Sequence, residues 1–127
     1  MNKLLLIGAG GAVGSVLRYL LGQWVGHGHG FPVATLLVNV TGCLAIGLAA
    51  GACRPGGAWP LREEFQLALM VGVLGGYTTF STFGRETLGL IEAGRWGLAA
   101  GYVAASNVLG VGAVWVGWTV TRPTPAA

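Results

Sequence analysis

Four hydroxyls, on Thr78, Thr79, Ser81 and Thr82, stand beside the phenyl rings of Phe80 and Phe83 in a stretch without charge. At about 100° per residue the hydroxyls share one arc of a helix and the rings take the adjoining arc. Hydroxyl groups donate hydrogen bonds to an anion. A phenyl ring carries a positive edge from its quadrupole, so an anion in the ring plane is attracted to it. Two phenylalanines at i and i+3 usually read as packing; beside a line of hydroxyls they read as the wall of an ion pathway. Gly75 and Gly76 come just before. Adjacent glycines followed by β-branched threonines are poor helix formers, so a break in the helix is predicted here. In hydrocarbon an irregular backbone survives only where it is buried in protein or lines a wet cavity. The break frees carbonyls from about Gly75 to Thr78, and carbonyl oxygens suit a hard cation such as Na+.

The remaining polar residues inside apolar runs are few. Arg18 has no acidic residue in any predicted span core to neutralise it. Such a cation either serves function or reaches for the interface on its long stem. In both cases the full charge nearest the core is positive, which favours an anion as the passenger. Thr35, Asn39 and Cys43 recur at i, i+4 and i+8, on one helix face. Asn39 offers a neutral amide donor, for an ion or for an interhelical hydrogen bond. Tyr102 and Ser106 lie one turn apart near the end of the chain, followed by Asn107. His27 and His29 lack a third ligand and read as a solvated turn. Cys43 and Cys53 read as small packing residues rather than a disulfide or a metal pair.

These groups need a membrane frame. The chain has 127 residues, 54% hydrophobic and 9% charged. Soluble domains carry about 25% charged residues, so this chain could not cover a water-facing surface. A spanning helix needs about 20 apolar residues. Charge-free runs predict four spans, at about 3–25, 33–53, 65–91 with its interruption, and 97–120. Little chain is left over, so residues 1–127 read as a single all-α integral membrane domain with short loops. The N-terminal Met-Asn-Lys-Leu-Leu-Leu resembles a signal peptide, but the apolar run continues past any cleavage point. The net charge of +3 is too small for nucleic-acid binding. Lys3, Arg54, Arg62 and Arg122 fall on one side and Arg85 and Arg95 on the other. That asymmetry is weak, and insertion in both orientations is compatible with it.

The run Leu4–Gly14 imitates the strand and glycine turn of a dinucleotide-binding fold. No acidic residue follows before Glu63, so the ribose partner is missing. The glycines instead read as helix-contact residues. Pairs four apart occur in every span: Gly10/Gly14, Gly22/Gly26, Gly47/Gly51, Gly72/Gly76 and Gly97/Gly101.

Over nearly its whole length the chain resembles the bacterial fluoride channels of the Fluc/CrcB family. The resemblance rests on Gly10-Gly11-Ala12-Val13-Gly14 through Arg18-Tyr19, on Thr35-Leu36-Leu37-Val38-Asn39 leading into Gly42-Cys43, and on Gly75-Gly76-Tyr77-Thr78-Thr79-Phe80-Ser81-Thr82-Phe83. It implies an antiparallel, dual-topology homodimer with two fluoride pathways in the cell (inner) membrane. It implies that Phe80 and Phe83 line the pathways, helped by Asn39, Ser81 and Thr82. A structural, untransported Na+ at the dimer centre would be held by the backbone carbonyls of Gly75 and Thr78 from each subunit. Arg18, Tyr102 and Ser106 match further polar positions of the family, and Tyr77 takes a position expected to be variable and apolar. A passive channel of this kind needs no catalytic residue; it exports fluoride that enters as neutral HF and dissociates inside.

Two other classes compete. A small multidrug transporter also has four short spans, but it needs a membrane-embedded carboxylate. Glu63, Glu64, Glu86 and Glu92 are expected at the ends of span three or beyond it. A non-transporting assembly subunit would use the glycine contacts and leave the hydroxyl–phenylalanine segment without a role.

Overall fold

The computed structural model describes residues 2–26, 30–54 and 56–123. His27 and His29 lie outside them. Among the described residues all regular structure is helical: α1 (Lys3–Val25), α2 (Val33–Ala52), α3 (Glu63–Leu67), a π-helical stretch (Ala68–Leu74), α4 (Gly75–Tyr77), α5 (Phe80–Glu92) and α6 (Trp96–Thr121). Four helical segments are long and apolar enough to cross a membrane: Lys3–Val25, Val33–Ala52, Glu63–Glu92 and Trp96–Thr121.

Local chemistry sets the ends of these elements. Asn2 caps α1, its side chain accepting from the Leu4 N–H at 3.1 Å. Gly26 closes α1 at φ 75°, a left-handed conformation that a side chain would strain. Arg62 precedes α3, and Glu63 and Glu64 sit in its first turn, the positive end of the helix dipole. Lys3 reaches Glu63 at 2.9 Å and Arg62 reaches Glu64 at 2.8 Å, both at the end of the bundle where α1 begins and α2 stops.

Packing divides the subunit into two tight contacts, α2 on α6, and α1 on the third span from α3 through α4. Glycine makes both possible. A Cβ at Gly14 would overlap the Val73 carbonyl, and one at Gly76 would overlap the Gly11 carbonyl. On the other side, Gly47 lies against the Val114 carbonyl and Gly117 lies 2.7 Å from the Leu48 nitrogen, measured from an idealised Cβ. Without hydrophobic drive between helices in lipid, such close backbone approach supplies the attraction through dispersion. The rule does not hold for every pair expected to follow it. A Cβ at Gly22, Gly97 or Gly101 would touch nothing in the subunit.

The third span departs furthest from a regular helix. Its first half is π-helical over Ala68–Leu74. Thr78 (φ −80°, ψ 160°) and Thr79 (φ −151°, ψ 115°) are extended between α4 and α5. Because these two residues are not helical, the four hydroxyls do not lie on one arc. Thr78 Oγ1 turns back to donate to the Leu74 carbonyl at 3.0 Å. Thr79 Oγ1 instead gathers the other two, Ser81 Oγ at 3.3 Å and Thr82 Oγ1 at 3.0 Å.

Candidate functional site: two clefts that share Thr79

The extended pair Thr78–Thr79 is held by side chains from two directions. Thr79 starts α5 as its cap, its Oγ1 accepting from the Thr82 N–H at 3.2 Å. Asn39 on α2 clamps the Thr79 backbone: the Thr79 N–H donates to Asn39 Oδ1 at 2.8 Å, and Asn39 Nδ2 donates to the Thr79 carbonyl at 3.0 Å. These bonds have a consequence for the carbonyls. In an α-helix the Gly75 carbonyl accepts from the Thr79 N–H and the Thr78 carbonyl from the Thr82 N–H. Both donors are spent here, one on Asn39 and one on Thr79 Oγ1. Two neighbouring carbonyls are thus released from the helical pattern. The donor set available to a cation is neutral oxygen, which fits a hard ion of single charge.

Phe80 and Phe83 follow on α5, their ring centroids 5.4 Å apart. They differ sharply in environment. Phe80 is 84% exposed, whereas Phe83 is buried against Tyr102, with centroids 5.1 Å apart. Tyr102 is wholly buried and takes Phe31 edge-on from its other side, at 5.4 Å. These rings and Leu90 form the small core under α5 and α6.

Two clefts flank this point. One, of about 640 Å³, includes Arg18, Thr35, Thr79, Thr82, Arg85 and Glu86 in its lining. The other, of about 320 Å³, includes Asn39, Gly75, Thr78, Phe80, Phe83 and Ser106. Thr79 lines both. Ser106 Oγ is buried without a hydrogen-bond partner, an available polar group beside the phenyl rings. Among the expected pathway residues, Asn39, Phe80, Phe83 and Ser106 share the smaller cleft and Arg18 and Thr82 the larger. Ser81 and Tyr102 line neither: Ser81 is exposed and Tyr102 stands behind Phe83.

Glu86 corrects the sequence reading. It belongs to the interior of α5, within the third span, and is not a residue of the span's end. Each of its carboxylate oxygens takes one donor: Thr35 Oγ1 donates to Oε1 at 2.9 Å and the Tyr102 hydroxyl donates to Oε2 at 2.8 Å. The signal was present in the spacing, since Thr82 and Glu86 are i and i+4 on one face of α5. Thr35, expected only as part of a polar face on α2, is the second residue brought to this site. Arg18 lines the same cleft without forming an ion pair among the described residues.

A helical bundle with irregular backbone at mid-span, beside clefts into which a few hydroxyl, amide and charged groups project, fits a membrane permeation protein. Residues 5–118 match the family model described as CrcB-like protein, Camphor Resistance (CrcB), and the chain belongs to that family. A protein of Rhodospirillum centenum named fluoride-specific ion channel FluC is 45% identical over 128 residues, covering 99% of this chain and 100% of the relative. Proteins of the same name from Nitrobacter winogradskyi and Rhizobium meliloti are 48% and 47% identical, covering 94% and 96% of this chain and 94% and 98% of theirs.

Proposed function

We propose that the chain is a fluoride-selective channel of the cell (inner) membrane, spanning it several times. It lets fluoride leave passively and so lowers its toxicity inside the cell. It is not an enzyme. The observation that carries this reading is the pair of clefts that share Thr79: the larger brings Arg18 and Arg85 to its wall, and the smaller is walled by hydroxyls, amide and phenyl rings without a charged residue. Fluoride is small and tightly hydrated. A pathway must replace its water with donors without holding the ion irretrievably, and neutral donors meet both demands. The full-length likeness to relatives named fluoride-specific supports the choice of ion.

In this reading Arg18 and Arg85 make the larger cleft attractive to an anion. Thr79, Thr82, Phe80 and Phe83 then carry the ion past Asn39, with Ser106 beside them. Ser81 contributes through its contact with Thr79 Oγ1. Tyr102 acts from behind, fixing Phe83 and Glu86.

The working unit is an antiparallel, dual-topology homodimer. Phe80, almost wholly exposed in one subunit, becomes the wall of a pathway when a second copy covers it. The released carbonyls of Gly75 and Thr78, two from each subunit, would hold a structural Na+ at the dimer centre. The ion would supply fixed positive charge that ties the irregular segments of the two copies together.

Glu86 revives one competing reading, because a carboxylate inside a span is what a proton-coupled multidrug transporter needs. Both of its oxygens already accept from Thr35 and Tyr102, and the relatives point elsewhere. The deciding test is fluoride efflux from liposomes containing the purified protein, with a potassium ionophore to balance charge. Rapid efflux is expected without a proton gradient. Equal chloride efflux, or an absolute need for a proton gradient, would refute the channel.

A further inference from the structure

A second polar constellation lies at the opposite end of the subunit from Arg18, Arg85 and Glu86. Arg122, the residue that ends α6, places its guanidinium carbon 4.7 Å from the centroid of the Trp118 ring. Arg54, just past the end of α2, places its own 5.9 Å from the same ring. The two cations therefore lie no farther apart than the sum of those distances. Their backbones are held together. Thr121 Oγ1 donates to the Leu48 carbonyl at 2.9 Å, and Gly51 lies against Trp118 and Thr121.

Like charges gathered on one indole repel unless something neutralises them. The acidic residues at this end are Glu63 and Glu64, and they are engaged by Lys3 and Arg62. Neither Arg54 nor Arg122 has a carboxylate partner among the described residues. The carbonyl ends of α2 and α6 offset only part of the charge, because a helix terminus carries about half an elementary charge. Tryptophan at a span end marks the headgroup level of a bilayer. Guanidinium groups match phosphate oxygens with paired, charge-assisted hydrogen bonds.

We infer that Arg54, Arg122 and Trp118 form a binding site for a phosphate group, the indole fixing the two guanidinium groups so that they meet it together. The phosphate comes from an anionic phospholipid headgroup or from free phosphate in the adjoining water. The site is separate from the ion pathway and does not depend on its function.

Native mass spectrometry of the full-length protein in detergent tests this. The probes are phosphatidylglycerol, phosphatidylcholine of the same acyl chains, and inorganic phosphate. Phosphatidylglycerol should be retained over phosphatidylcholine, and Arg54→Gln/Arg122→Gln should lower that preference roughly thirtyfold, since two basic contacts are lost. Arg54→Lys/Arg122→Lys should retain an intermediate preference, because charge persists without the planar fork. Arg62→Gln, at the same end but paired with Glu64, should behave like the parent. For a lipid site, millimolar inorganic phosphate should leave the bound lipid in place; displacement of the lipid, with phosphate retained by the parent alone, assigns the site to free phosphate. Fluoride efflux should be unchanged in the double glutamine variant, which shows that it is folded. Undiminished preference in that folded variant, or a parent that prefers neither lipid and retains no phosphate, would overturn the inference.

Discussion

In the proposed pathway Asn39 would act without carrying a charge. Its Oδ1 accepts from the Thr79 N–H and one of its two amide hydrogens goes to the Thr79 carbonyl, so it shapes the segment on which the hydroxyls sit. Asn39→Ala would leave a backbone N–H and C=O without partners, at a cost of about 1–3 kcal/mol for each group left unsatisfied. Asn39→Asp keeps the acceptor but turns a carboxylate oxygen toward the Thr79 carbonyl and adds negative charge to an anion pathway. Both variants should lose fluoride efflux, the aspartate more severely. Equal and mild losses would make Asn39 a structural residue only. The phenylalanines should separate in a similar way. Phe80→Ile should lower efflux with little effect on thermal stability, because the ring is exposed in the subunit. Phe83→Ile should lower efflux and also destabilise by about 1 kcal/mol, the worth of its aromatic contact with Tyr102. Parent-like efflux from both, measured in the same liposomes, would return the rings to packing.

The third span is where the elements do their positioning. α1 lies against it so closely that glycine is required on both sides. A Cβ at Gly14 would meet the Val73 carbonyl, which is backbone and cannot rotate away. Gly14→Ala should therefore destabilise by roughly 1–3 kcal/mol, the usual range for overpacking, and reduce the yield of folded protein. Gly22→Ala on the same helix meets nothing within the subunit and should leave its thermal stability at or slightly above the parent value, since alanine is the better helix former. Thermal melts of the two variants side by side decide the point; equal stability would mean that the α1 contact is loose. Residues 78–79 show the other half of the argument. Thr79 is at once a helix cap, the target of Asn39 and a lining residue of both clefts. Its extended backbone is thus fixed by two hydrogen bonds from Asn39 and by the cap bond of its own hydroxyl to the Thr82 N–H, rather than by propensity alone.

At the scale of the whole molecule the subunit leaves its most distinctive ring, Phe80, facing outward. In the proposed antiparallel dimer a second copy would cover this ring, and tags at the C-terminus should then be reachable from both sides of the cell membrane. Strictly one-sided labelling would remove the dual topology. The carbonyls of Gly75 and Thr78 bear on the same assembly. Within one subunit a Cβ at Gly75 would come no closer than 3.8 Å to the Met70 carbonyl. If these carbonyls meet at the centre of the proposed dimer, Gly75→Val should act chiefly there, weakening efflux more than Thr78→Ser, which retains the backbone carbonyl. Sodium depletion should weaken fluoride efflux without a sodium current. Full activity from a rigorously depleted sample would sink the sodium assignment.

Four apolar helices were legible from the chain because spacing between charges is a one-dimensional property, and a bilayer demands about 20 apolar residues at a time. The phenylalanine–hydroxyl segment was legible for the same reason: its residues are neighbours in sequence. Tertiary structure decided what depends on distant partners. Glu86 looked like a residue of a span end until Thr35 and Tyr102, remote in sequence, donated to its two oxygens. The hydroxyls looked like one arc until Asn39 took the Thr79 N–H and Thr78 turned back to Leu74. The glycines four apart looked equivalent, yet Gly14 is pressed against backbone while Gly97 and Gly101 face open space. A periodicity places residues on a face; only packing determines what that face meets, because a hydrogen bond or a close backbone contact requires a second chain segment at a defined distance.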